Sequence, residues 1–133
     1  MILDSSALVA ILFKEPEAER LAAMIRDADA TAIAAPTLLE TAIVAEGRTR
    51  PGMAEKLDAL IAAAGAEIVP FTALHAAIAR DAWRRFGKGR HKAGLNLGDC
   101  FAYALAKERG QALLFKGDDF AATDIEPAIK THG

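Results

Sequence analysis

Short apolar runs alternate with longer amphipathic stretches along the chain. Met1-Ile2-Leu3 is the first run and stops at Asp4, after which Ser5 to Phe13 reads as a short helix. Pro16 suits the first turn of a helix through Ala28, with Ala18, Leu21, Ala22 and Ile25 at helical spacing. Thr31 to Ala35 predicts a second strand, ended by Pro36, and Thr37 to Arg48 predicts a helix. Its inner stripe is Leu38, Leu39, Ala42, Ile43 and Ala45. Pro51 and Gly52 break the chain before a helix over Met53 to Ala64, with Leu57, Leu60 and Ile61 inward. Glu67 to Phe71 predicts a third strand. Leu74, Ile78, Ala82 and Phe86 then recur every four residues in a helix stopped by Gly87. Lys88 to Leu97 reads as a loop, Asp99 to Arg109 as a helix, and Ala112 to Phe115 as a fourth strand.

Strands alternating with helices imply a parallel sheet covered on both faces, an α/β/α sandwich. Right-handed crossovers then bring every strand's C-terminal end to one edge, where ligands of open α/β sheets bind. The residues just after the strands therefore carry the functional question.

Composition narrows the field. The chain has 133 residues, 53% of them apolar, which fits one domain over residues 1–133 with a full core. Alanine contributes 31 of these residues, so the apolar fraction overstates the bulky core. A formal net charge of −2 excludes a protein that grips polyanions with its whole surface, though not one with a local basic patch. No apolar run approaches the roughly 20 residues that cross a bilayer, and Met1-Ile2-Leu3-Asp4 lacks the features of a signal peptide. Cys100 is the only cysteine, which suits a reducing, cytoplasmic compartment. His75, His91 and His132 stand apart from it and from one another, so zinc spacing is absent, and His75 is expected at the surface.

Acids follow the strands. Asp4 ends the first, Glu40 lies in the first turn after the second, and Asp118 and Asp119 follow the fourth. Asp99 opens the helix leading into that fourth strand, so its N-terminus faces the same edge. Each acid also has a plain role to offer: Asp4 as a helix cap, Thr37 and Glu40 as a capping box, Asn96 with Asp99 as a capped first turn, Asp118 and Asp119 as turn residues. Capping does not require all of them to share one edge. Carboxylates held close together repel, and a divalent cation removes the conflict. Oxygen ligands without histidine or cysteine suit Mg²⁺ or Mn²⁺, and Mg²⁺ seeks phosphate oxygens.

Four segments, in this order, carry a family resemblance: Ile2-Leu3-Asp4-Ser5-Ser6-Ala7-Leu8; Leu39-Glu40-Thr41-Ala42; Asn96-Leu97-Gly98-Asp99-Cys100-Phe101-Ala102-Tyr103-Ala104-Leu105-Ala106; and Leu114-Phe115-Lys116-Gly117-Asp118-Asp119-Phe120 with Thr123-Asp124-Ile125. The chain resembles the PIN-domain ribonucleases of the VapC toxin type over essentially its whole length. The resemblance implies a Mg²⁺- or Mn²⁺-dependent endoribonuclease held inactive by a cognate VapB-type antitoxin. Asp4, Glu40 and Asp99 match the first three family acids, and Ser6 the hydroxyl residue after the first. In many relatives the fourth acid lies three residues before the motif phenylalanine, where this chain has Gly117. Asp119 is then the first choice and Asp118 the second, with Asp124 a weaker candidate. The implied roles are metal binding by Asp4 and Asp99, with Glu40 and Asp119 holding a second ion or orienting water.

Arg84, Arg85, Lys88, Arg90, His91 and Lys92 crowd the stretch before Asp99. Arg85, Lys88, Arg90 and Lys92, with Lys116, are candidate contacts to the RNA backbone; solvated helix-end charges are the plain alternative. Rival functions are a phospho-receiver-like domain, disfavoured because Thr72 and Ala73 follow the third strand, and a non-catalytic acidic-pocket binding module. A homodimer is expected. The apolar stripes of Pro16–Ala28 and Pro36–Arg48 are expected to leave a groove beside Asp4 and Glu40 for an antitoxin helix.

Overall fold

The computed structural model describes residues 1–48 and 50–129; His132 lies outside them. The elements are β1 (Ile2–Leu3), α1 (Ser5–Leu12), α2 (Ala18–Asp27), β2 (Ala32–Ala34), α3 (Ala35–Gly47), α4 (Met53–Ala64), β3 (Glu67–Val69), α5 (Ala73–Phe86), α6 (Leu97–Arg109) and β4 (Leu113–Leu114), then a 3₁₀ turn over Phe120–Ala122. The four strands form one sheet in the order β3-β2-β1-β4, every pairing parallel.

Alternation along the strands sorts the core into two layers. Ile2, Ala32, Ala34 and Leu113 point to one face and pack with Ala79, Ala82, Phe86, Tyr103 and Leu105 of α5 and α6. Leu3, Ile33 and Leu114 point to the other and pack with Leu8, Leu21, Ile25, Ala45 and Leu57 of α1 to α4. This is the expected α/β/α sandwich. From β1 the chain steps outward to β2 and β3, then crosses back through α5 and α6 to β4 on the far side of β1. The direction of winding reverses at β1, and a crevice opens there at the carboxyl edge.

Several local expectations shift. Pro16 stands ahead of α2, which starts at Ala18. α3 starts at Ala35, so Pro36 lies in its first turn, where a missing N–H costs nothing, rather than ending β2. The buried face of α3 is Thr37, Thr41 and Ala45, while Leu39 and Ile43 are 61% and 64% exposed. On α5 the inward stripe is His75, Ala79, Ala82 and Phe86, closer to the 3.6-residue turn than the every-fourth pattern; Leu74 is exposed. His75 is consequently buried: its Nδ1 accepts from the Thr72 N–H at 3.1 Å, and Nε2 lies 3.7 Å from Glu108.

Candidate active site at the carboxyl edge

Asp4 is the residue that leaves β1, and it is 1% exposed. Its Oδ2 accepts from the Ser6 N–H at 3.0 Å and the Ser6 hydroxyl at 2.5 Å. The same hydroxyl accepts from the Lys116 N–H at 3.0 Å, tying the end of β1 to the end of β4. Asp4 Oδ1 is buried with no partner. Burial pushes the Asp4 carboxyl up to about 7; the Ser6 hydrogen bonds oppose that rise, and the charges of Asp99 and Glu40 add to it.

Glu40 comes from α3, the helix after the neighbouring strand. Because the N-cap of α3 is Ala34, Thr37 is no cap, and the Thr37–Glu40 capping box does not form. Released from that role, the Glu40 carboxylate lies against Gly98, where a Cβ would collide with it. Glu40 Oε1 is buried without a partner.

Asp99 does both jobs that its position allows. Its Oδ2 accepts from the Asn96 N–H at 3.0 Å while Asn96 Oδ1 accepts from the Asp99 N–H at 2.9 Å, a reciprocal capping box. It also stands in the field of the other acids. Burial raises its carboxyl to about 6, the Asn96 N–H opposes this, and Asp119 and Glu40 push further upward.

After β4 the chain turns at Gly117, whose φ of 96° is left-handed and would strain any side-chain-bearing residue. The acid therefore cannot sit at 117 without cost, and Asp119, just before the 3₁₀ turn, is the one whose charge reaches Asp99. Asp118 instead lines a cleft with Glu17, Arg20 and Lys116. Asp124 is held by the Tyr103 hydroxyl at 2.6 Å and the Lys107 ammonium at 2.7 Å, a structural latch.

The PIN domain family pattern matches residues 1–126. The chain is 50% identical over 125 residues to Ribonuclease VapC of Mycolicibacterium smegmatis, covering 94% of this chain and 97% of that one. It is 48% identical over 125 residues to Ribonuclease VapC30 of Mycobacterium tuberculosis, covering 94% and 95%. The chain belongs to the VapC ribonucleases of the PIN-domain family. Solved structures agree on the fold. Mycobacterium tuberculosis VapC20, described as a sarcin-ricin-loop-cleaving toxin, superposes with a TM-score of 0.67 at 21% identity, covering 95% of this chain and 98% of that one. A toxin–antitoxin complex from Klebsiella pneumoniae gives 0.71 at 18% identity, covering 98% and 95%. Membership of this family displaces the phospho-receiver alternative.

The donor set of this VapC-family edge fits a hard divalent ion. Two acceptor-only oxygens, Asp4 Oδ1 and Glu40 Oε1, are buried and receive no hydrogen bond. Such atoms call for a proton or a cation. Among the described residues no group of three or more His, Cys, Asp or Glu side chains is drawn together to hold an ion. Mg²⁺ suits so open an arrangement, since it keeps several waters and takes only one or two carboxylates.

The candidate RNA contacts divide. Arg85 lies 3.6 Å from Asp81 and 3.5 Å from Asp124, and the Lys116 ammonium pairs with Glu15 and Glu17. These two cations are engaged within the fold. Arg90 stacks over Trp83 at 4.2 Å, Lys88 borders a cavity of about 480 Å³ with Trp83, Leu97 and Phe101, and Lys92 is exposed. Sequence reasoning gives Gly98 no role. Its signal is a glycine in the first turn of a helix that Ala would favour by about 1 kcal/mol.

Proposed function

We propose that this protein is a Mg²⁺- or Mn²⁺-dependent endoribonuclease and the toxin of a toxin–antitoxin pair, acting in the cytoplasm. One observation carries the reading: buried, unpartnered oxygens of Asp4 and Glu40 stand at the sheet edge that Asp99 shares. The relatives named ribonuclease at about half identity give it its substrate class. Asp4 and Asp99 would hold the ion, with Glu40 and Asp119 in support. When bound, the ion lowers the pKa of a coordinated water and shields the phosphodiester charge.

The chain's own residues prepare that chemistry. Ser6 occupies Asp4 Oδ2 and leaves Oδ1 open. Gly98 leaves room for the Glu40 carboxylate, and Asn96 fixes one oxygen of Asp99. Lys88, Arg90 and Lys92 precede Asp99 in the chain and supply cations for the RNA backbone. His75 is buried on α5, with its Nδ1 taken by the Thr72 N–H, so a water rather than the 2′-hydroxyl is taken as the attacking group, leaving 5′-phosphate and 3′-hydroxyl ends. Purified protein incubated with total RNA and Mg²⁺ should produce such ends, and Asp4→Asn or Asp99→Asn should abolish them. Undiminished cleavage by Asp99→Asn would overturn the site.

The partner reading narrows to one helix. Leu21 and Ile25 of α2 are spent in the core, but Pro36, Leu39 and Ile43 of α3 border an open apolar groove with Leu97 and Phe101, next to Glu40. An amphipathic antitoxin helix fits such a groove, and an arginine or lysine on it would reach the acids. The half-exposed Trp83, beside an apolar cavity with Phe71, Leu97 and Phe101, is read as surface for a homodimer contact.

A further inference from the structure

Beyond α1 from Asp4, two arginines share one aromatic ring. The guanidinium carbons of Arg48 and Arg50 stand 4.2 and 5.4 Å from the Phe13 ring centroid. With Glu15 and Gly47 these residues line an open hollow after α3. Neither guanidinium has a carboxylate partner among the described residues, and both side chains are exposed. The Glu15 carboxylate on the rim is already matched by the Lys116 ammonium. An arginine laid on an aromatic face keeps its edge N–H groups free, and that fork matches a phosphate bidentately.

A second observation is independent of the arginines. α1 ends in a Schellman motif, with the Lys14 N–H bonded to the Ile11 carbonyl at 3.2 Å and the Glu15 N–H to the Ala10 carbonyl at 2.9 Å. The residue in the left-handed position is Lys14, φ 53°, the one such non-glycine among the described residues. Glycine fits that backbone best, so the chain keeps an exposed cation beside Phe13 against its conformational preference.

The hollow lies at the other end of α1 from Asp4. Asp4 and Phe13 are the two caps of α1, whose eight residues span about 12 Å. Between them the surface runs from Ser6 to the Lys116 backbone, and from the Lys116 ammonium to Glu15 on the rim. An RNA strand with its scissile phosphate at the acids reaches the hollow within a few nucleotides. We propose that Arg48 and Arg50, seated on Phe13, form a phosphate-binding subsite for the RNA backbone outside the cleavage centre, with Lys14, the next residue in the chain, adding its charge. The proposal rests on the ribonuclease reading. It is a backbone site because Phe13 is buried under the guanidiniums and offers no face to a base.

Fluorescence anisotropy with a labelled single-stranded RNA, in EDTA to prevent cleavage, tests it. Arg48→Gln with Arg50→Gln should weaken binding on the order of tenfold and flatten the log–log salt dependence by about 1.4. With Mg²⁺ restored, KM for long RNA should rise while kcat holds, and an oligonucleotide too short to reach the hollow should be cut as before. Lys14→Gly should raise Tm yet weaken RNA binding, a split that a purely structural lysine would not give. Wild-type affinity and salt slope in the double variant overturn the subsite. So does retained RNA binding with loss of a partner protein, which would make the hollow a protein-docking face. Wild-type protein that neither binds nor cuts RNA overturns the ribonuclease reading as well, and is recognised before any variant is compared.

Discussion

Asp4 concentrates the electrostatics of the molecule. Its carboxyl titrates near 7 in the fold, against 3.8 ordinarily, so between those values the folded protein keeps a proton that the unfolded chain has released. Metal-free stability is therefore highest at the acid end and falls as pH rises from about 4 to 7. Asp4→Asn keeps an acceptor for Ser6 and removes the penalty. Thermal melts should show the variant gaining on the wild type by roughly 2–4 kcal/mol at pH 8, with a much smaller gap at pH 5. Mg²⁺ should narrow the gap at pH 8 by stabilising only the wild type. Gly98 makes the converse case. Gly98→Ala improves helix propensity but drives a methyl into the Glu40 carboxylate, so RNA cleavage should fall at least about tenfold while the melt moves by only about 1 kcal/mol either way. Loss of activity with an unfolded circular dichroism spectrum would remove that explanation.

At the scale of elements, the segment after β4 must hold Asp119 beside α6, and two contacts do so. Phe120 is buried against Phe115, and Asp124 is gripped by Tyr103 and Lys107 of α6. Tyr103→Phe removes one buried hydrogen bond and should lower stability by about 1 kcal/mol, a fall in Tm of roughly 3–5 °C. Limited proteolysis of that variant should cut first between β4 and the chain end if the latch is what anchors the segment. The capping boxes belong to this scale too. Asn96 and Asp99 form theirs, because α6 begins where the sequence pattern places it. Thr37 and Glu40 do not, because α3 starts two residues ahead of Thr37 and the threonine arrives inside the helix. That displacement of a helix start is what frees Glu40 for the site.

For the whole molecule, the exposed apolar band of Leu39, Ile43 and Leu97, the last 72% exposed, contributes nothing to the domain's own core. Leu39→Glu with Ile43→Glu should leave the melt of the isolated chain within about 0.5 kcal/mol, as for exposed sites in general. The same pair should abolish co-purification with the proposed antitoxin partner. A stable complex that survives both changes would move the partner's docking surface elsewhere. No helix among the described residues is long and apolar enough to cross a membrane.

The alternation of short apolar runs with helical stripes determined the sandwich, since a strand buried on both faces has to be apolar throughout and each crossover has to be helical. The acids after those strands were legible for the same reason: parallel topology sends every strand end to one edge. Local pattern could not decide what depends on neighbours distant in the chain. Whether Leu39 or Thr37 faces inward turns on where α6 lies against α3, and whether Glu40 caps its helix or meets Gly98 turns on a contact 58 positions away. That Asp119 rather than Asp118 lies within reach of Asp99 depends on the path the chain takes after Gly117, and the burial of His75 on a helix that follows 3.6 residues per turn rather than four. Periodicity specifies an element and its direction; only the packed neighbours specify which face is covered and which charges meet.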